Sequence, residues 1–426
     1  MLRFNENNEV IQEQEYRAVL VGLELNKDIS YSMQELAGLA EAANVEVAGE
    51  MVQHLERPNK ATFIGSGKVE ELALMCENME IDTVIFNDEL SGMQLRNLEE
   101  ALGVRVIDRT ILILDIFADR ALSKEGRLQV EYAQLAYRLP RLTGFGKSLS
   151  RQAGGIGTRG PGEKKLETDR RHIQKRMDDI RAELKKAKAV RATQRGRREK
   201  NSIPVVALVG YTNSGKSALM NRLLGDMDKE DKSVFEKDML FATLDTSHRK
   251  ISFDTNQEFI LIDTVGFVSR LPHSLVEAFK STLEEVNYAD LLIHVVDSSY
   301  EACDFHIEVT DQVLKEIGAG DKERIIAYNK CDIAETEPVC SEGCDWLWIS
   351  AKRGDNIDEL TELIKTKIFS DRVRATLLIP FDKGDVVSYL CGKATVFSMD
   401  YTEDGTVLDA EMSKEDYSRY KRYDTL

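Results

Sequence analysis

The sequence predicts a multidomain α/β protein. It reads as a small N-terminal α/β domain with a long antiparallel helical hairpin, a larger α/β domain, and a small C-terminal α+β domain. Three observations predict this. The chain has 426 residues, more than one ordinary core organises. Strand-like and helix-like runs alternate in two blocks, 16–108 and 204–370. Between the blocks lies a stretch whose apolar residues keep a heptad spacing.

In chain order, "YRAVLVGLEL" is apolar and β-prone, and "SMQELAGLAEAAN" has helical spacing. "VEVAGEMV" and "ATFIG" read as extended, "GKVEELALMCENM" as helix, "DTVIFND" as a buried strand. "SGMQLRNLEEAL" and "VRVID" complete a domain over 1–108 with a largely parallel sheet. Residues 109–200 are helical. In the helix expected from about Glu163, the apolar residues are Leu166, Ile173, Met177, Ile180, Leu184 and Ala187. That narrow seam suits one partner helix, and the helix before it, from about residue 125, is the candidate. Residues 201–370 form the larger domain. Residues 371–426 read as strand, helix, a hairpin turning at Glu403, Asp404 and Gly405, and a helical tail.

Hydrophobic residues make up 42% and charged residues 31%, which excludes a disordered chain. No stretch has the length of apolar sequence a membrane span needs, and "MLRFNENNEV" lacks a signal pattern, so a cytoplasmic location is expected. Cys76, Cys303, Cys331, Cys340, Cys344 and Cys391 form no C-x-x-C pair and read as reduced thiols. Net charge is −17, which argues against a protein that coats nucleic acid over its whole surface. Residues 151–200 nevertheless hold 17 Lys/Arg against 7 Asp/Glu. A basic segment on an acidic body suggests a localised polyanion contact.

"IPVVALVGYTNSGKSALMNRLLG" (203–225) is an apolar strand, a loop and an amphipathic helix. The loop fits G-x-x-x-x-G-K-[ST] in the setting that pattern requires. Gly210 and Gly215 let Tyr211, Thr212, Asn213, Ser214 and Ala218 wrap backbone amides around phosphates. Lys216 supplies charge to the β and γ oxygens, and the Ser217 hydroxyl can ligate Mg²⁺. "FILIDTVG" (259–266) ends in D-x-x-G, so Asp263 can hold the Mg²⁺ shell and the Gly266 amide can meet the γ-phosphate. "RIIAYNKCD" (324–332) ends in N-K-x-D. The Asp332 carboxylate can accept from guanine N1–H and the 2-amino group, with Asn329 and Lys330 shaping the pocket wall. "LWISAKRG" (347–354) brings Ser350, Ala351 and Lys352 over the base. Four motifs in this order, each at a strand end, resemble the Ras-like P-loop GTPase superfamily.

Between the first two motifs, Thr243 in "VFEKDMLFATLDTSHRKI" fits a mobile first switch and a further Mg²⁺ ligand, with Thr246 as competitor. Lys216, Thr243 and Gly266 are thus the candidate catalytic groups. Phe267 follows D-T-V-G where Ras-type enzymes carry the glutamine that orients water. A phenylalanine can neither donate nor accept a proton, so slow intrinsic hydrolysis is expected. Asn213 reads equally as a turn residue or as a ligand of K⁺ beside the β/γ bridge.

"GGIGTRGPG" (154–162) sits between the two expected hairpin helices. A glycine loop on a long stalk can approach RNA closely. Arg151, Arg159, Lys164, Lys165, Arg170 and Arg171 could pair with phosphates beside Gly154, Gly155, Gly157 and Gly160. "GGIGTRGPGEKKLETDRR", "LFATLD", "DTVGFV" with "LPHSLVEAFKSTLEE", "VIDRTILILDIFADRA" and "EGRLQVEYAQL" are similar to the HflX family of GTPases, over about 16–370. The family's usual Thr-Gln after G-P-G-E is Lys164 and Lys165 here. The resemblance implies a GTPase that binds the large ribosomal subunit and its rRNA and helps split or rescue ribosomes under stress. Two other readings stand beside it. One is a switch acting on a protein partner through the hairpin. The other is an ATP-driven RNA remodeller using "GSGK" (65–68), which otherwise reads as a turn into a helix. Nothing in the sequence demands a dimer, so a monomer is expected.

Overall fold

The structure is a computed structural model that describes residues 16–142, 161–200, 203–225, 241, 247–253, 257–270, 283–300, 302–337 and 345–425. The chain divides into two compact units. The first takes residues 1–192 with 237–245 and 268–281, and the second takes the remainder.

In the first unit, strands β1 (Tyr16–Glu24), β2 (Val45–His54), β3 (Thr83–Phe86) and β4 (Arg105–Asp108) form a parallel sheet in the order β2-β1-β3-β4. Helices α1 (Ser30–Ala42), α2 (Ser66–Asn78) and α3 (Gly92–Leu102) supply the crossovers that parallel pairing requires. β3 is buried along its whole length, and Val19, Val21, Leu72, Val84, Phe86 and Leu98 share one core. Ser91 and Gln94 cap α3 reciprocally, as the sequence S-x-x-Q at a helix start favours. One expectation fails here. Residues 61–65, read as extended, form a turn in which Asn59 Oδ1 accepts from the Ala61 amide at 2.8 Å and Asn59 bridges to Phe63. The asparagine side chain offers the backbone a local partner that outcompetes a ladder.

Helix α4 (Arg109–Arg120) follows, capped by the Asp108 side chain on the Ile111 amide, and then α5 (Lys124–Leu142). Helix α6 (Pro161–Lys200) has 40 residues, starting two residues earlier than expected. At the standard rise it spans about 60 Å. It runs antiparallel to α5: Lys124 pairs with Glu183 and Arg176 with Glu131, while Arg191 pairs with Glu125. In the expected seam, Met177 and Ile180 are buried.

In the second unit, β5 (Val205–Val209), β6 (Ser247–Ser252), β7 (Glu258–Asp263), β8 (Leu291–Asp297), β9 (Arg324–Asn329) and β10 (Asp345–Trp348) form a sheet in the order β10-β9-β8-β5-β7-β6. Only the edge strand β6 is antiparallel. The inner strands are largely apolar because both faces are covered, including by α7 (Lys216–Gly225), α8 (Cys303–Ile317) and α9 (Ile357–Ile368). The chain order reverses at β5, whose neighbours are β7 and β8, and the carboxyl ends of the parallel strands lie along one edge. That is where open α/β sheets bind ligands. Beyond it, β11 (Arg372–Ile379), β12 (Thr395–Thr402) and β13 (Gly405–Ser413) make an antiparallel sheet in the order β11-β13-β12. It packs with α10 (Gly384–Lys393) and α11 (Lys414–Tyr420) around Leu377, Leu390 and Leu408.

His294 in β8 is an anomaly in this core. It is fully buried, and among the described residues neither ring nitrogen has a hydrogen-bond partner. Burial pushes its imidazole down to about 3. The unfolded chain takes up a proton near pH 6.5, and the folded chain does so only near 3. His294 therefore removes stability as pH falls from 6.5, by about 2 kcal/mol at pH 5. His294→Leu is expected to flatten the acid limb of the stability curve by that amount, read from urea midpoints at pH 7.5 and 5. Parallel loss in both proteins would contradict this.

Candidate nucleotide site

The four motifs leave the carboxyl ends of β5, β7, β9 and β10, so the parallel sheet itself brings them together. The loop after β5 needs two glycines for different reasons. Gly210 has φ 146, and a Cβ there would lie 2.2 Å from the Val295 carbonyl oxygen of β8. Gly215 has φ 91, and its Cβ would lie 2.1 Å from Asn329 Nδ2. Both conformations are ones that only glycine adopts without strain. Tyr211, Thr212 and Ser214 are buried, while Asn213 is exposed with φ 59, a left-handed conformation asparagine tolerates.

Lys216 opens α7 and is buried. Its ammonium donates to the carbonyls of Gly210 at 3.1 Å and Tyr211 at 2.6 Å. Burial pushes it down to about 8, against the pull of Asp263. Phosphate oxygens beside it would favour the charged form. Nucleotide affinity is therefore expected to be flat below about pH 8 and to weaken up to about tenfold per unit above it. A fluorescent GDP analogue titrated at pH 7 and 9 checks this, and equal affinities would contradict it.

Ser217, the next residue, donates its hydroxyl to Asp263 Oδ2 at 2.6 Å. This hydroxyl–carboxylate pair, one from each motif, is a donor set that suits a hard cation such as Mg²⁺. Among the described residues the buried hydroxyls of Thr212 and Ser214 have no hydrogen-bond partner, as expected of a cradle whose acceptors come with a ligand. Gly266 packs on this loop: a Cβ there would meet Thr212 Cα at 2.7 Å and Lys216 Nζ at 3.0 Å. Ala218 continues α7 and packs against the core.

Phe267 buries its ring in the core with Ile262, Leu283 and Val286. Its amide donates to the Gly210 carbonyl at 3.1 Å, and its carbonyl accepts from the Thr212 amide at 2.7 Å. The two motifs are thus laced together backbone to backbone.

On the base side, Asn329 joins two loops. Its Nδ2 donates to the Ser214 carbonyl and its Oδ1 accepts from the Ala351 amide, both at 2.9 Å. Asp332 Oδ1 accepts from the Ser350 hydroxyl at 2.7 Å, which fixes the carboxylate plane. Lys330 has φ 68 and pairs with Asp297 at 2.7 Å. Lys352 is exposed, and its carbonyl accepts from Arg222 at 2.6 Å. Arg222 also holds the Ala351 carbonyl at 3.0 Å. Sequence reasoning missed Arg222 and Asp297. Arg222 reads only as a polar residue of an amphipathic helix, while Asp297, ending an apolar strand, left a usable signal.

Thr243 and its competitor Thr246 lie outside the described residues, as do Arg151, Gly154, Gly155, Gly157, Arg159 and Gly160. Lys164 and Lys165 lie in the first turns of α6. Arg170 and Arg171 are exposed there, and Arg171 donates to Glu167 at 2.7 Å. Lys68, of the third glycine-lysine signal, is ion-paired with Glu71 at 2.7 Å in the first turn of α2.

This sheet, with its phosphate loop and base-reading strand ends, is that of a P-loop GTPase. Three family profiles match in chain order: a GTP-binding GTPase N-terminal region over 30–118, a GTP-binding GTPase middle region over 120–198, and a 50S ribosome-binding GTPase over 205–330. GTPase HflX of Caldanaerobacter subterraneus subsp. tengcongensis is 49% identical over 407 residues, 96% of this chain and 93% of the relative. GTPase HflX of Lacrimispora saccharolytica is 41% identical and that of Escherichia coli 38%, each over 95% of both chains. The chain belongs to the HflX family of GTPases, and it binds and hydrolyses GTP.

Proposed function

We propose that this GTPase acts on the large ribosomal subunit and promotes the splitting and rescue of ribosomes under stress, working in the cytoplasm as a monomer. The observation that carries this reading is the hairpin. A 40-residue helix, ion-paired with α5 through Arg176, Glu183 and Arg191, begins at Pro161, within the glycine segment. Its residues belong to a stretch whose Lys/Arg outnumber Asp/Glu by ten. The name of the third family profile, a 50S ribosome-binding GTPase, points the same way. Among the described residues no helix is long and apolar enough to cross a membrane. The protein-partner reading is weakened because Met177 and Ile180 of the seam are already buried within the chain.

In this reading the amides from Tyr211 to Ala218 cradle the phosphates. Lys216 and the Gly266 amide meet the γ-phosphate, and Asp332 reads guanine. Ser217, Asp263 and Thr243 hold the Mg²⁺, which offsets charge on the phosphate oxygens when bound. Arg151, Arg159, Lys164, Lys165, Arg170 and Arg171 meet rRNA phosphates beside the glycine loop. Binding to purified large subunits is then expected to weaken steeply between 50 and 200 mM salt. The triple variant Arg159→Glu, Lys164→Glu, Lys165→Glu should reduce the log–log salt slope by about two to three. A slope shared by variant and wild type would remove the tip from the contact.

A further inference from the structure

We propose that His306 is a positioning residue for nucleotide binding: its ring stacks on Tyr211 and so holds the phosphate loop, given that this loop cradles the phosphates as proposed. Tyr211 follows Gly210 and is the one aromatic residue in a loop of small and polar residues, "GYTNSGKS". It is nevertheless buried, 3% exposed, within the protein. Its ring lies 3.9 Å, centroid to centroid, from the imidazole of His306, with the planes 12° apart. His306 is itself 6% exposed. It stands near the start of α8, on the face that also buries Thr310, Val313, Leu314 and Ile317.

The platform under Tyr211 is fixed in turn. Tyr300 stacks on the same imidazole at 5.1 Å and 17°. The Tyr300 carbonyl accepts from the Cys303 amide at 3.1 Å, which joins it to the first residue of α8. The Thr310 hydroxyl donates to the His306 carbonyl at 2.9 Å. Two residues before Tyr300, the Ser298 amide and hydroxyl both donate to the Asn329 carbonyl, at 2.9 and 2.7 Å. His306 is thus anchored to its helix and, through the loop that carries Tyr300, to the end of β9. Tyr211, Ser298, Tyr300, His306 and Asn329 all belong to the second unit.

The backbone around Tyr211 is committed on both sides. The Gly210 carbonyl and the Thr212 amide bond to Phe267, and the Tyr211 carbonyl accepts from Lys216 Nζ at 2.6 Å. These bonds fix where the loop passes. A flat ring stacked on a second flat ring also resists rolling of the residue that carries it. With the stack in place the Tyr211 carbonyl stays on the Lys216 ammonium. Without it, that contact and the directions of the neighbouring amides loosen together. Aromatic pairs contribute modestly, so the effect is about tenfold or less. It falls on the groups of the phosphate loop and spares those of the base loop.

The test compares GDP and GMP, which differ by one phosphate, as competitors of a fluorescent GDP analogue on the full chain. A variant that is merely less folded loses affinity for both in the same proportion, so the ratio of the two affinities isolates the phosphate loop. His306→Leu keeps bulk without a flat ring, Tyr211→Leu removes the stack from its other side, and His306→Phe restores a flat ring. Ile317→Ala opens the core about 16 Å further along α8. Lys216→Ala reports whether the loop holds phosphate at all. His306→Leu and Tyr211→Leu are expected to lower the GDP-to-GMP ratio about three- to tenfold. His306→Phe should stay within about twofold of wild type, and Ile317→Ala should lower Tm with the ratio unchanged. If Lys216→Ala lowers the ratio while folded His306→Leu and Tyr211→Leu do not, the role of His306 is overturned and the phosphate loop stands. If Lys216→Ala leaves the ratio unchanged, the phosphate loop falls, and the role of His306 with it. A loss in His306→Phe or Ile317→Ala as large as in His306→Leu also overturns the proposal.

Discussion

Asp332→Asn is expected to weaken GTP binding by about 10²- to 10⁴-fold while conferring binding of xanthosine triphosphate. Guanine presents two donors, N1–H and the 2-amino group, and the carboxylate accepts both. In the structure the Ser350 hydroxyl donates to Asp332 Oδ1 at 2.7 Å, and Arg353 donates its amide to the Ser350 oxygen at 3.0 Å. That chain persists in the variant and directs the asparagine oxygen toward Ser350. The new amide group then faces the base, where a donor meets the guanine 2-amino donor. Xanthine carries a carbonyl at that carbon and accepts instead. Competition of GTP and xanthosine triphosphate for a fluorescent GDP analogue reads both halves of the effect. Retained preference for GTP would remove Asp332 from base recognition.

Gly215→Ala is expected to cost a comparable amount, about 10²- to 10³-fold in GTP affinity, without touching any group that contacts the nucleotide directly through a side chain. At φ 91 an alanine is strained, and its Cβ would lie 2.1 Å from Asn329 Nδ2. Asn329 is buried and held on both sides by hydrogen bonds. Its displacement breaks the bonds to the Ser214 carbonyl and the Ala351 amide together, so the phosphate loop and the base loop lose their common anchor. Gly392→Ala, where an added Cβ meets nothing within 4 Å, should leave binding intact. Affinity of Gly215→Ala within about threefold of wild type would show that the anchor is dispensable.

The contrast between these two positions marks what the sequence makes legible. Strand-end motifs such as G-x-x-x-x-G-K-S and N-K-x-D are read directly, because the parallel sheet delivers strand ends to one edge whatever the rest of the chain does. Apolar runs such as β5 announce themselves through their lack of polar residues. Contacts made by isolated polar residues leave no such trace. Glu35 looks like an ordinary surface position in an amphipathic helix, yet its partners Arg109 and Ser269 lie 74 and 234 residues away in sequence. Residues 61–65 mislead for a local reason, since Phe63 and Ile64 suggest a strand while Asn59 upstream turns the backbone. Phe267 shows both sides. Its side chain can neither donate nor accept a proton, which the sequence shows, but only the fold reveals that its ring belongs to the core and its backbone to the phosphate loop.

The proposed role requires that the nucleotide state of the P-loop domain govern engagement of the large ribosomal subunit through the basic glycine-rich tip. Co-sedimentation with purified large subunits measures this most directly, comparing GDP with a non-hydrolysable GTP analogue, and wild type with the Arg159→Glu, Lys164→Glu, Lys165→Glu variant. The expected result is binding with the GTP analogue, little with GDP, and loss of the analogue-dependent binding in the variant. Binding in neither state, by a protein that still hydrolyses GTP, would contradict it.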